Sequence, residues 1–405
     1  MQPRSVLFVT PRWARDGGVG AHVQASAAAL ASRGVRVYVL VAKIEDDEPL
    51  GRVQVERSRE LFNPAAPIGA RLRGALASGA DIAHVHQVDD PEIVGALRGS
   101  SPVVMSAHGY TACTSGVYYF RPGQQCSRGH GPGCVPNLLL RGCAHTHYPK
   151  TLPVKYRNAG RGLQALQLAD MVVSYSQAVD RHLAANRLAQ RMVVPYFPTM
   201  GPTEGSGHAA RRRVVFAGRV VRPKGVAVLV RAAREVDGEF VICGDGPQTE
   251  PMRRLAQRLG VADRVSFKGW LDAGQLAEEL ANASVVTVPS VWPEPFGLVG
   301  IEALASGRPV VATATGGIEE WLDDGVSGLC VPPGEVAPLA GALNELLADP
   351  DRQREMGAAG RRAVAERFTA ERHLEKLLES YRAAHANWRS VDRAPEEQLI
   401  SPSAG

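Results

Sequence analysis

Two carboxylates, Glu294 and Glu302, stand eight residues apart in the run Pro-Glu-Pro-Phe-Gly-Leu-Val-Gly-Ile-Glu. Carboxylates so placed can move protons or accept hydrogen bonds from the hydroxyls of a sugar. A second group is cationic: Arg219, Arg222 and Lys224 lie between Gly218 and Gly225. An arginine fork and a lysine point charge suit the two phosphates of a pyrophosphate. His108 is a third candidate, able to bond a sugar hydroxyl or a phosphate near neutral pH. Glycine turns at Gly17-Gly18-Val19-Gly20, Gly244-Asp245-Gly246-Pro247 and Gly316-Gly317 would let backbone amides approach an anion. Each pattern also has an ordinary explanation. Acids favour the first turns of helices, basic loops are commonly solvated, and glycine turns often serve only to pack strand against helix.

The elements around these residues decide between such readings. The β-branched apolar run 285–289 reads as a buried strand, and 298–306 has helical spacing before Gly307 stops it. Glu294 then falls in the loop beyond a strand's carboxyl end and Glu302 about two turns into the following helix, with Gly297 between. Open α/β sheets bind ligands at such places. The basic group likewise follows a strand at 213–217, and His108 ends a strand at 102–107. The chain begins with a strand at 4–10, the glycine turn, a helix at 21–33 and a strand at 35–41, the opening of a doubly wound α/β unit. The turn is not Gly-x-Gly-x-x-Gly, and no acid closes the second strand, so a dinucleotide-binding dehydrogenase fits poorly. The alternation continues to a Gly, Pro, Ser and Thr cluster at 198–210, a hinge, and then restarts. Helices are expected at 336–348, 351–368 and 370–386, and a disordered tail at 389–405. The expected domains are 1–200, with an insert at 111–148, and 211–368. A helix at 369–388 is placed to cross back to the first domain.

The 405 residues are 45% hydrophobic and 21% charged, ordinary for a globular protein. No apolar run reaches the 18 residues of a membrane span, and the start lacks a signal-peptide pattern, so a cytoplasmic protein is expected. The net charge of +5 hides a division. Residues 1–213 hold 25 Lys and Arg against 14 Asp and Glu (+11), and the remainder 21 against 27 (−6). No acid occurs between Glu92 and Asp170, where Arg98, Arg121, Arg128, Arg141, Lys150, Lys155, Arg157 and Arg161 fall. Such a field draws an anionic partner, whether a phosphorylated lipid, an acidic glycan, the inner face of the plasma membrane or nucleic acid, unless it is a solvated face.

Residues 111–148 interrupt the alternation with Cys113, Cys126, Cys134 and Cys143, rich in Gly and Pro around them. Cys243 and Cys330 sit in apolar strand runs and read as packing. For the clustered four, a structural zinc, disulfides and free thiols all stand. A reducing compartment favours metal, but the gaps lack Cys-x-x-Cys knuckles.

Taken together, these motifs resemble the retaining GT-B glycosyltransferases of family 4, also called group 1. The resemblance rests on the Gly17-Gly18-Val19-Gly20 turn, His108, the Gly218–Gly225 loop, Gly244 to Pro247, the pair Glu294 and Glu302, and Gly316-Gly317 with Glu320, in family order along most of the chain. It implies two doubly wound, Rossmann-like domains facing a central cleft. It also implies transfer of a sugar from a nucleotide-diphosphate donor to a glycan, lipid-linked or small-molecule acceptor, in polysaccharide or glycoconjugate synthesis, with no metal cofactor required. By position, Arg219 and Lys224 would bind the diphosphate, Glu302 the ribose and Glu294 the sugar hydroxyls. Phe296, Gly297 and Leu298 would lend amides, as would Gly17 and Gly18 across the cleft, with Gly218, Gly244 and Gly246 in the donor site. His108 would lie beside the reacting carbon, and the catalytic set would be Glu294, His108, Arg219 and Lys224. Gly109 stands where the family often has aspartate. The aromatic residues Tyr110, Tyr118, Tyr119, Phe120, Tyr148 and Tyr156 suit a sugar or polyprenyl-linked acceptor and peripheral contact with anionic membrane. Nucleic acid is not an expected partner. A non-hydrolysing nucleotide-sugar epimerase and a non-catalytic nucleotide-sugar-binding protein are the rival classes.

Overall fold

A computed structural model describes residues 3–15, 17–45, 50–116, 119–121, 124–140, 143, 151–201 and 212–391. Tyr118 and Tyr148, residues 202–210 of the hinge and the tail beyond 391 lie outside the described residues.

Strands β1 (Ser5–Trp13), β2 (Arg36–Ile44), β3 (Val53–Arg57), β4 (Ile82–His86) and β5 (Val103–Ala107) come first. A hairpin of β6 (Tyr119–Arg121) and β7 (Gln124–Gln125) follows, then β8 (Met171–Ser174) and β9 (Arg191–Val193). All but the hairpin form one parallel sheet in the order β3-β2-β1-β4-β5-β8-β9. The second sheet holds β10 (Arg213–Ala217), β11 (Glu239–Cys243), β12 (Val265–Gly269), β13 (Val285–Val288), β14 (Val310–Thr313) and β15 (Gly328–Val331). It too is parallel, in the order β12-β11-β10-β13-β14-β15. Central strands such as Ile82–His86 and Val285–Val288 are buried at every residue, because helices cover both faces of a parallel sheet. The short polar strand β3 was not legible as a strand, since it is an edge with little apolar signal.

In each sheet the strand order reverses once, between β1 and β4 and between β10 and β13. A crevice opens at the carboxyl ends there, since successive connections leave in opposite directions. The Gly218–Gly225 and Pro289–Gly297 loops leave adjacent, paired strands at the second reversal.

The last helix, Ala370–Val391, runs beyond its expected end and packs on the first sheet. Trp388 Nε1 donates to the carbonyl of Arg98 at 2.9 Å, and Tyr381 meets His84 at 2.8 Å. The long α-helix gives these side chains a single face at helical spacing.

Candidate donor site and its setting

Glu294 is buried, and each of its oxygens is engaged. Lys224 Nζ donates to Oε1 at 2.7 Å, while Ser290 Oγ and Trp292 Nε1 donate to Oε2 at 2.8 and 3.0 Å. The expected phosphate binder Lys224 and the expected sugar binder Glu294 are therefore one ion pair, with the lysine partly exposed at the mouth. Arg219 is exposed on the same loop, and its side chain makes no hydrogen bond or ion pair among the described residues. A fixed carboxylate, a lysine held beside it and an uncommitted guanidinium give this mouth the charges a diphosphate sugar requires.

Backbone geometry holds the loop. The amide of Gly317 donates to the carbonyl of Glu294 at 2.7 Å, and a Cβ at Gly316, whose φ is 67°, would stand 2.2 Å from that carbonyl oxygen. Only glycine permits this approach. Trp321 Nε1 donates to Phe296 O at 2.6 Å, and the buried Phe296 ring packs on Tyr196 and Phe368. Gly297 caps the helix Leu298–Ala305, which carries Glu302 on its buried side. Gly244 and Gly246 let the Arg219 loop lie close: an added Cβ would stand 2.0 Å from Gly218 O and 2.6 Å from Val220 O, respectively, while Gly218 N donates to Cys243 O and Val220 N to Asp245 O, each at 2.9 Å.

Elements of the first sheet close over this loop. Ser176 Oγ donates to Pro295 O, and the amides of Gln177 and Ala178 donate to Glu320 at 2.9 and 3.0 Å, so a carboxylate of the second half caps a helix of the first. Gly18 touches Leu298, where an added Cβ would lie 2.8 Å from Cδ1. Gly17 caps the helix Gly18–Ser32.

Glu302, assigned by resemblance to a ribose, instead accepts from Thr199 N at 2.7 Å, Thr199 Oγ1 at 3.0 Å and Met200 N at 3.3 Å. Burial raises its pKa to about 7 despite those donors. A carboxylate has about four lone-pair sites, so the hinge backbone leaves Glu302 some acceptor capacity.

His108 is committed within the protein. Its Nδ1 meets Tyr196 OH at 3.0 Å, its Nε2 meets His86 Nδ1 at 3.2 Å, and its ring stacks on Tyr175 at 4.7 Å. Burial, and secondarily His373, lower its pKa to about 3, so the ring is neutral at pH 7. His22, His84, His86 and His373 surround it, all buried with lowered pKa values. His84 and His86 end a buried strand, whereas His22 and His373 come to them from distant helices. Nothing in local spacing signals a contact such as Ser26 Oγ to His373 Nε2, 347 residues apart.

Cys113, Cys126, Cys134 and Cys143 line one cavity of about 20 Å³ together with His130 and His182. All six cysteines are free thiols. Burial pushes the Cys143 thiol up to about 11 and also raises Cys126, which keeps both protonated. Among the described residues no three His, Cys, Asp or Glu side chains are arranged to hold a metal ion, so the structural-zinc reading lacks support. The insert does bring the four thiols together, but its sulfurs do not converge into a ligand set.

The chain is 34% identical over 367 residues to the alpha-maltose-1-phosphate synthase of Mycolicibacterium smegmatis, spanning 79% of this chain and 91% of that protein. Residues 206–363 match the model for glycosyl transferases group 1, and residues 16–196 that for glycosyltransferase family 4. The chain is a family 4, group 1 glycosyltransferase. This glycosyltransferase is also 42% identical over 185 residues to the D-inositol 3-phosphate glycosyltransferase of Nocardia farcinica, 42% of this chain and 40% of that one. Its fold is that of the sucrose-phosphate synthase from Thermosynechococcus elongatus, with TM-score 0.67, 23% identity, and 95% and 99% of the two chains covered. Anabaena HepE in complex with UDP and glucose shares it at TM-score 0.67 and 19% identity, over 94% and 100%. The glycosyltransferase thus has the GT-B architecture of two α/β domains, and the epimerase and non-catalytic classes are not favoured. No helix among its described residues is long and apolar enough to cross a membrane.

Proposed function

We propose that the enzyme transfers a hexosyl group from a nucleotide-diphosphate sugar to a hydroxyl acceptor with retention of anomeric configuration. Residues 1–200 serve the acceptor and 211–368 the donor. The observation that carries this reading is the ion pair of Glu294 with Lys224 beside the uncommitted Arg219, at the strand-order reversal of the second sheet. Arg219 and Lys224 meet the diphosphate, Glu294 accepts the sugar hydroxyls, and Glu302 accepts the ribose hydroxyls alongside the hinge amides. The amides of Gly17, Gly18, Gly297 and Leu298 border the same cleft.

The anomeric carbon to phosphate-oxygen bond breaks, and the electron pair leaves with the diphosphate. Fixed cations stabilise that charge as it develops, without the reorganisation water would require. The acceptor oxygen bonds the anomeric carbon on the face just vacated, and its proton passes to a diphosphate oxygen. Glu294 positions the sugar rather than attacking it, since both its oxygens are held by Lys224, Ser290 and Trp292. His108, neutral and tied to Tyr196 and His86, is a fixed polar wall beside the reacting carbon.

The solved neighbour that holds UDP and glucose makes UDP the first nucleotide to test. Thermal shift against UDP, GDP and ADP sugars in the presence of a chelator should show one strong stabiliser. Anomeric analysis of the product by NMR should show retention, and an inverted product or no nucleotide-sugar response would sink the reading. The basic first half suits work on cell-surface glycoconjugates at an anionic membrane face. Flotation with anionic liposomes at low salt tests this, and an unbound protein removes the membrane component.

A further inference from the structure

Trp292 is a side chain of the second half seated against the core of the first. It packs on a hydrophobic cluster whose other described members all lie between residues 7 and 188. Its ring meets Tyr110 edge-on, with centroids 6.1 Å apart and planes at 85°. Tyr110 is itself buried and edge-on to His182 at 5.4 Å, and it follows His108 by two residues. Lys224 Nζ stands 6.0 Å from the centre of the indole, within reach of its π face.

The polar edge of the same indole serves the donor site. Nε1 donates to Glu294 Oε2 at 3.0 Å, beside Ser290 Oγ at 2.8 Å. These two donors are held differently. Ser290 is buried just past the end of β13, within its own half. Trp292 is partly exposed, on a loop whose backbone is pinned on either side: Val291 N donates to Pro223 O at 2.8 Å, and Gly317 N to Glu294 O at 2.7 Å. With that backbone fixed, the direction of the N–H depends on the side-chain torsions of the tryptophan, and the first half packs the ring that those torsions turn. A hydrogen bond to a carboxylate is strong, but it weakens steeply when the donor points away.

We propose that Trp292 is a positioning residue for glycosyl transfer: its indole N–H aims Glu294 at the donor sugar, and its seat against Tyr110 makes that aim depend on the first half. The proposal rests on the glycosyltransfer reading of Glu294 and adds the residue that ties this carboxylate to the other half of the chain. The sugar is then held in its reacting position only where the first half is packed against the donor loop, which withholds activation from a donor bound by the second half alone.

The test uses the full chain in two measurements. Fluorine NMR of protein labelled with fluorotryptophan needs no ligand. The Trp292 resonance, identified by its absence from Trp292→Phe, should shift in Tyr110→Leu, and an unmoved resonance overturns the seating. The second measurement follows UDP release from UDP-glucose. Trp292→Phe keeps a ring but loses the N–H, so kcat should fall about tenfold while UDP affinity by calorimetry stays within about twofold of wild type. Tyr110→Leu should lower kcat by less, and the double variant should be no slower than Trp292→Phe alone, because both changes remove the same bond. Ser290→Ala takes a donor from the same oxygen within the second half, so its effect should add in full to that of Tyr110→Leu. A merely structural tryptophan would lower the melting temperature and leave the kcat of the folded protein unchanged. Normal kcat in Trp292→Phe, or full additivity of Trp292→Phe with Tyr110→Leu, overturns the proposal. Trp292→Leu replaces Trp292→Phe if the latter does not fold. A wild-type protein that releases no nucleotide from UDP-, GDP- or ADP-glucose counts against the glycosyltransfer reading, and the fluorine resonance still decides the seating.

Discussion

The two halves handle charge in opposite ways. In the second, the decisive groups are ionised and paired within one short stretch: Glu294 takes its bonds from Ser290, Trp292 and Lys224, and the last is on the neighbouring loop. In the first, a buried cluster is built from neutral rings, His22, His84, His86, His108 and His373, packed edge-on or stacked with one another and with Tyr175 and Tyr196. A site that must stabilise a departing diphosphate needs fixed charge. A wall that only shapes the cleft is better made of neutral polar groups, because unpaired buried charge is costly.

The comparison is broken most directly at Arg219. Arg219→Ala should lower kcat by about 10² to 10³, the effect of removing one fixed donor to developing charge, with little change in melting temperature. Steady-state kinetics showing normal turnover would remove the cationic account. Glu294→Ala should also abolish most turnover while the protein remains folded by circular dichroism, and wild-type rates there would dismiss the sugar-binding role.

Acid should separate the halves next. The folded His108, His182 and His373 have pKa values of about 3, 3 and 4, and His22, His84 and His86 lie well below normal. Unfolded imidazoles near 6.5 take up protons that the folded ones refuse. Their contribution is complete above about pH 6.5 and declines as pH falls toward 4, by about 1.4 kcal/mol per pH unit for each proton of difference. Glu302 and Asp89, raised to about 7 and 6, act oppositely, since the folded carboxyls keep protons the unfolded ones have lost. Their contribution shrinks as pH rises between about 4 and 7. Six imidazoles outweigh these two carboxyls and Glu320, which burial also raises, so urea midpoints should fall steadily below pH 6.5. A flat profile would mean that the histidine cluster is not buried as described.

Smaller effects sharpen the boundary between the halves. Above pH 7, where Glu302 is ionised, Glu302→Gln should weaken nucleotide-diphosphate binding by about tenfold, because a charge-assisted acceptor becomes a neutral one. Unchanged affinity by calorimetry would leave Glu302 to the hinge alone. Gly18→Ala should raise the donor KM by only a few-fold, since the clash is with the flexible end of Leu298, which can move. An unchanged KM would show that this contact does not shape the donor cleft.

Much of the donor half was legible in sequence. Glycine turns, short apolar strands and charged loops there are contiguous, and the bonds that hold Glu294 join residues near in sequence or on loops that leave adjacent strands. The partners of Glu302 were not legible, because Thr199 and Met200 reach it only when the hinge folds against the second half. The same holds for Asp90, which Arg71 and Arg161 reach only when separate helices pack together. The cysteines illustrate the reverse. Their clustering in sequence did correspond to clustering in space, yet ligand geometry depends on where each sulfur points, which spacing without knuckles does not specify.

Sequence alone determined two doubly wound units, the donor motifs and the family, because apolar periodicity and glycine punctuation act locally. Tertiary structure alone decided that Lys224 pairs with Glu294, that the last helix brings His373 to the first helix and Tyr381 to the first sheet, and that Asp89 lines an open groove. Those outcomes depend on which side chains meet after long loops close, and on which charges find partners when water is excluded.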